Sequence, residues 1–327
     1  MHEFFSVLDR PAPQSFAVAG RLLFIQSFDP QLRTLIERLF SGWQLTPVSF
    51  PERKPDIQIS FTCGAEIPVV PSGLTEFEVA AGGRCYAASE EYYLELGNSV
   101  MHLARGNPVN VSVWLKELPG PSDPELARVT SFAVCAALRR FGMFDMHSAA
   151  VVIPNSEVGV LLIGPSGSGK STLTLQLATA GWGYLSDDEL LLSVVGDEVQ
   201  ARGFRSFFAL SSAAANANQP KPAFKTCFEP STVFTSPPVA RVVPRFLLFA
   251  NIGGAQNTEL HELTQTEIMA HLIRACPWAT YDTAIAGANL DLLAHLARQS
   301  KGFKLMAGTD LLEPNQASRI IGSVCGA

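Results

Sequence analysis

Gly164-Pro165-Ser166-Gly167-Ser168-Gly169-Lys170-Ser171 is the stretch that decides how this chain is read. It fits G-x-x-x-x-G-K-[ST], the phosphate-cradling P-loop, and both of its flanks suit the motif. Upstream, the apolar run at 158–163 reads as a buried strand. Downstream, 172–179 reads as a helix closed by Gly181, where a left-handed residue is wanted. Glycines at these spacings let backbone N–H groups turn inward on a phosphate, and the helix N-terminus adds its partial positive charge. The expected nucleotide-binding residues are therefore Gly164, Pro165, Ser166, Gly167, Ser168, Gly169, Lys170, Ser171 and the adjoining Thr172. Lys170 is expected to reach the β- and γ-phosphates, and the Ser171 hydroxyl to ligate Mg²⁺. ATP and Mg²⁺ are the implied ligands.

Phosphoryl transfer needs the phosphates held, the metal held and the acceptor hydroxyl oriented. Past the helix, a short strand at 183–185 runs into Ser186-Asp187-Asp188-Glu189. Carboxylates at the C-terminal end of a strand face the crevice where open α/β sheets bind ligands. One can accept the hydroxyl proton while the other holds Mg²⁺. Adjacent strand-end residues point to opposite sides, so unequal roles are expected. A solvated acidic turn is the alternative.

Three stretches taken together carry a resemblance. They are Met146-His147-Ser148-Ala149-Ala150-Val151-Val152, the loop with Thr172, and Gly181-Trp182-Gly183-Tyr184-Leu185-Ser186-Asp187-Asp188. This pattern resembles the HPr kinase/phosphorylase family. It is closer to the HPr-serine-kinase-like relatives, which include peptide-tailoring kinases of bacterial biosynthetic clusters. The resemblance spans about residues 145–325 and is strong over 146–192. It implies an α/β fold: a C-terminal P-loop domain, PEP-carboxykinase-like and HPr-kinase-like, behind an N-terminal α+β domain. It also implies that His147 sits beside Asp188, that Asp187 is the general base, and that Asp188 helps with the metal or with His147.

Departures from the family pattern matter too. Thr172 stands where the bifunctional members carry Glu, and the second family signature has no convincing counterpart. Gln200-Ala201-Arg202-Gly203 mimics it but comes too soon. Forward transfer without efficient phosphorolysis is the consequence. Arg202, Arg205 and Arg245 are candidates for stabilising charge on the transferred phosphate, with Arg205 first; a surface role is the alternative for each.

Working outward to the N-terminal side, residues 1–120 read as a separate α+β unit. A strand is expected at 18–26, then a helix to residue 39 with Asp29 as N-cap and Pro30 at N1. Another strand is expected at 57–62. Short runs at 77–80, 84–88, 92–96, 100–104 and 109–115, separated by Gly82-Gly83, Gly97-Asn98 and Gly106-Asn107-Pro108, read as an antiparallel sheet. Tyr92, Tyr93 and Trp114 read as packing residues, a peptide-binding face being the other reading. A linker is expected at 119–124, then a helix over 125–141 and a strand over 147–153. Residues 121–327 form the P-loop domain on this reading. Beyond the acidic pair come a hairpin at 190–202, a long loop at 211–240, a strand at 245–252 and a capping box at 264–267. A helix at 290–298, a strand at 303–307 and a last helix from about 315 complete the chain.

Composition narrows the classes. The 327 residues are 47% hydrophobic and 17% charged, which is a globular composition with room for two domains. A net charge of −6 with no basic block argues against nucleic-acid binding. No apolar run approaches the ~20 residues of a membrane span. The opening Met1-His2-Glu3-Phe4-Phe5-Ser6 lacks the basic and apolar regions of a signal peptide. Six cysteines without a C-x-x-C pair read as reduced thiols, so the cytoplasm is the expected compartment. The expected activity is ATP-dependent, Mg²⁺-assisted transfer to a serine-type hydroxyl of a small protein or precursor peptide. The alternatives are a small-molecule kinase and a nucleotide-binding ATPase or regulator. Residues 1–120 are expected to choose the acceptor, with homo-oligomer assembly as their other role.

Overall fold

The computed structural model describes residues 14–49, 53–64, 66–79, 82–88, 91–120, 123–211, 225–236 and 238–326. The chain forms two compact units, residues 1–141 with 280–285, and residues 142–279 with 286–327.

The first unit is a nine-stranded mixed sheet. It begins with β1 (Gln14–Val18) and β2 (Arg21–Ser27), followed by helix α1 (Pro30–Ser41) and the short β3 (Thr46–Pro47). It continues through β4 (Ile57–Cys63), β5 (Thr75–Val79), β6 (Gly83–Ala87), β7 (Glu91–Leu96), β8 (Ser99–Ala104) and β9 (Val109–Leu115). The spatial order is β3-β1-β2-β4-β9-β8-β7-β6-β5. The strand expected at 18–26 is β2, which starts at Arg21; Val18 ends β1, and Ala19 (φ 46°) with Gly20 (φ 82°) makes the left-handed turn between the two strands. The antiparallel expectation holds from β5 to β9, whereas β4 runs parallel to both β2 and β9. α1 is built as its sequence dictates: the Asp29 carboxylate accepts from the N–H groups of Gln31 and Leu32, and Leu32, Ile36 and Phe40 are buried.

Helix α2 (Pro124–Arg139) packs on β8 and β9, and so lies in the first unit, beyond the boundary expected after residue 120. Of the expected linker, residues 121 and 122 lie outside the described residues. The segment 280–285 belongs to the same unit. There Asp282 accepts a 2.6 Å hydrogen bond from Arg140, and the Tyr281 ring lies 5.3 Å from Phe77.

The second unit opens with β10 (Phe144–Met146), β11 (Ser148–Val152), β12 (Val158–Ile163), helix α3 (Lys170–Thr179) and β13 (Gly183–Ser186). Next come β14 (Leu190–Val195), β15 (Glu198–Gly203), β16 (Phe208–Ser211), β17 (Lys225–Phe228), α4 (Pro230–Val233) and β18 (Arg241–Ile252). Then follow β19 (Glu259–Leu263), α5 (Gln265–Ala275), α6 (Trp278–Tyr281, its last two residues counted with the first unit), α7 (Ala286–Gln299), β20 (Lys301–Ala307), a 3₁₀ turn (Thr309–Leu312) and α8 (Pro314–Cys325). β12, β18 and β20 are parallel neighbours; β11 is antiparallel to β12, and β13 to β11. Fully apolar β12 fits a strand covered on both faces. Alternate residues Val160, Leu162, Leu248 and Leu305 join Leu173 and Leu177 of α3 and Ile321 of α8 in one core. The loop expected over 211–240 is structured where it is described: β17 pairs with β16, and α4 follows. Residues 212–224 and 237 lie outside the described residues.

Candidate active site

The glycine-rich loop leaves β12 at its C-terminal end and enters α3 at Lys170. Its shape requires glycine. A Cβ added at Gly164 would lie 2.5 Å from the Ala250 carbonyl oxygen and 2.6 Å from Ser168 Oγ. Gly167 (φ 85°) and Gly169 (φ 89°) hold left-handed conformations that turn the backbone into α3. The Ser168 hydroxyl is buried with no hydrogen-bond partner among the described residues.

Lys170 is buried, and a buried ammonium needs acceptors. Its Nζ donates to the Gly164 carbonyl at 2.7 Å and the Pro165 carbonyl at 3.1 Å, tying the two limbs of the loop together. It also lies 3.3 Å from Nε2 of His147. The pairing of Ser148 with Ile163 explains this, since it sets residue 147 level with the start of the loop.

β13 delivers the acidic pair to the same end of the sheet, because Ala150 of β11 pairs with Ser186. The two carboxylates then part. Asp187 is 1% exposed; its Oδ1 accepts from the Tyr184 hydroxyl at 3.2 Å, and its Oδ2 from the Ala209 N–H at 3.0 Å. Burial, and after it the Asp187 charge, pushes the Tyr184 phenol far up, so the hydroxyl stays a donor. Asp188 instead meets Nδ1 of His147 at 3.3 Å and Nη1 of Arg205 at 3.2 Å. With its proton on Nδ1, the His147 ring donates to Asp188 and accepts from Lys170.

Arg205 pairs with Glu189 as well, at 3.4 Å. Burial works against its charge, but Asp188 and Glu189 outweigh it and hold the guanidinium pKa above its ordinary value. Ser171 Oγ lies 3.5 Å from the Asp187 main-chain oxygen, to which it donates. The structure thus gathers His147, Lys170, Ser171, Asp187, Asp188 and Arg205 in one place. Thr172 follows Ser171 in the first turn of α3.

Arg245 is not brought there. It pairs with Glu198 low on β18, level with the start of β12 and far from the loop. Arg202 lies on β15, opposite Leu191 and Arg241. Sequence reasoning assigned no role to Tyr184 or to the Ala209 N–H. The signal for Tyr184 was its place in the stretch 181–188 that carries the resemblance, three residues before Asp187.

No protein-family model matches the chain, and no curated protein matches it. Among solved structures, the HPr(Ser) kinase/phosphatase from Coxiella burnetii is similar at 12% identity and a TM-score of 0.34, covering 56% of this chain and 97% of that one. At that score the likeness is distant.

Proposed function

We propose that the second unit is an ATP-dependent phosphotransferase whose acceptor is a serine-type hydroxyl on a small protein or peptide. One observation carries this reading: Lys170, His147, Asp188 and Arg205 form a continuous polar chain beside a glycine-built P-loop. A pure nucleotide binder needs the loop and Lys170. It does not need a carboxylate oriented by both an imidazole and a guanidinium.

The residues suit the ligands. Left-handed glycines and the start of α3 aim backbone N–H groups at an anion, as a triphosphate needs. Ser171 and the acidic pair supply hard oxygen donors, the chemistry Mg²⁺ prefers. When bound, Mg²⁺ would neutralise charge on the phosphate oxygens. Lys170 exchanges its loop carbonyls for phosphate oxygens. Asp188 accepts the acceptor hydroxyl's proton as the new O–P bond forms and the β–γ bridge breaks, releasing ADP. His147 holds Asp188 in position, and Arg205 faces the transferred group. In this reading the proton-accepting role expected for Asp187 passes to Asp188, since Asp187 is buried and committed to Tyr184 and Ala209. Ser171 would hold the metal, and Asp187 fixes the strand end that carries Asp188.

The test is incubation of purified protein with γ-labelled ATP, Mg²⁺ and a panel of serine-containing peptides, small carrier proteins and hydroxylated small molecules. Label on a peptide or protein serine supports the proposal. Label only on a small molecule moves the acceptor class, and ATP binding with transfer to no acceptor removes the kinase reading.

A further inference from the structure

The acceptor side of the site is marked by His147 and Asp188, which belong to the β11 and β13 flank of the glycine-rich loop. In-line phosphoryl transfer puts the attacking and leaving oxygens on opposite sides of phosphorus. The nucleoside must therefore leave toward the opposite flank, where β18 and β20 end.

An apolar side chain stands out there. Leu248 and Ala250 of β18 face the core beneath α3, and Ile252, the last residue of β18 and still paired with Ala307 of β20, continues that row at the C-terminal end of the strand. Ile252 is 58% exposed. Its Cγ1 is 3.8 Å from where a Cβ on Gly169 would lie, so it stands against the loop itself. Leu312, 57% exposed, ends the 3₁₀ turn after β20 on the same edge.

The loop that follows Ile252 is latched in place. Gly253 N–H donates to the Ala307 carbonyl at 3.0 Å, while Thr309 and Asp310 donate to the carbonyls of Ala255 and Gln256, each at 3.1 Å. Asp310 in turn accepts from the Thr258 N–H at 2.9 Å and the Thr258 hydroxyl at 2.5 Å. A rigid mount presenting a solvent-exposed isoleucine beside a phosphate loop is preorganised for a flat apolar ligand surface.

We propose that Ile252, backed by the 253–258 loop, is the nucleoside subsite: an apolar shelf for the face of a purine base. Gln256 and Asn257, both exposed, lie on the same loop. This rests on the nucleotide reading above and deepens it.

The test uses the full chain, with calorimetric titration of Mg²⁺–ATP and of inorganic tripolyphosphate, which has the phosphates but no base. Ile252→Ser is expected to weaken ATP roughly tenfold, the loss of one apolar contact, and to leave tripolyphosphate unchanged. Ile252→Trp is expected to show fluorescence quenching with ATP that wild type lacks and tripolyphosphate does not produce. If both ligands bind wild type and Ile252→Ser changes neither, or changes both equally, the subsite is overturned and the phosphate site stands. If wild type takes up neither ligand, the nucleotide reading itself falls, and the subsite with it.

Discussion

His147 and Asp188 face each other at 3.3 Å, Nδ1 to Oδ1, although 41 positions separate them in the chain. The contact fixes which carboxylate of the acidic pair is oriented toward the loop. It also engages one nitrogen of a ring whose other nitrogen lies 3.3 Å from Lys170.

His147→Ala is expected to slow single-turnover transfer roughly 10–100-fold, the range for a residue that orients another. ATP affinity should stay within a few-fold, because the loop backbone and Lys170 are untouched. Rapid-quench rates paired with calorimetry check this, and an unchanged rate would remove His147 from the site.

Asp188→Asn and Asp187→Asn are expected to fail differently. The first should lose roughly 10²–10⁴ in rate, the contribution of a general base, with its melting temperature near wild type. The second should destabilise the fold by about 1 kcal/mol, because an amide oxygen turned to the Ala209 N–H leaves the Tyr184 hydroxyl only its 3.3 Å bond to the Phe207 carbonyl. Urea denaturation and transfer assays on both variants separate them. The opposite pattern would return the proton-accepting role to Asp187.

Lys170→Ala should abolish transfer and weaken Mg²⁺–ATP binding at least about tenfold, since it removes the cation that neutralises the phosphates. Near wild-type turnover in this variant would contradict the nucleotide site.

Two glycines distinguish close approach from backbone strain. Gly164→Ala drives a Cβ to within 2.5 Å of the Ala250 carbonyl oxygen, and should cost about 1–3 kcal/mol as the loop shifts. Gly181→Ala meets nothing within 4 Å and carries only its left-handed strain at φ 96°, about 1–2 kcal/mol. Only the Gly164 variant should also lose ATP binding, which calorimetry on both would show.

At the N-terminus of α5, the Thr264 N–H and hydroxyl both donate to Glu267 at 2.8 Å. The backbone donor, and then the hydroxyl, hold the Glu267 carboxyl below its ordinary value. A depressed carboxyl contributes stability that is present above its unfolded pKa and lost as pH falls through the lower folded value. Wild type should therefore lose more melting temperature than Glu267→Gln between pH 5 and pH 3. Parallel losses would show that this cap adds nothing.

Much of the local structure is legible in the sequence because its causes are local. Asp29-Pro30 starts α1, and Thr264 with Glu267 caps α5, since a cap is set by residues within one turn of each other. Less local features escape. The turn at Ala19-Gly20 falls inside the stretch read as one strand, and β4 takes its parallel place between β2 and β9 through pairings far away in sequence.

The site divides in the same way. The sequence alone determined the strand, the glycine-rich loop, a helix read over 172–179 and the acidic pair at a strand end, because each is carried by particular residues within a short window. Only the tertiary structure decided which carboxylate is buried under Tyr184 and which meets His147 and Arg205. It also decided that Ile252 stands against Gly169, and that segment 280–285 belongs with the first unit. The site outcomes depend on the register of β11 against β12 and β13, and on the parallel run of β18 beside β12. Register is set by the packing of a whole sheet, which no window of sequence contains.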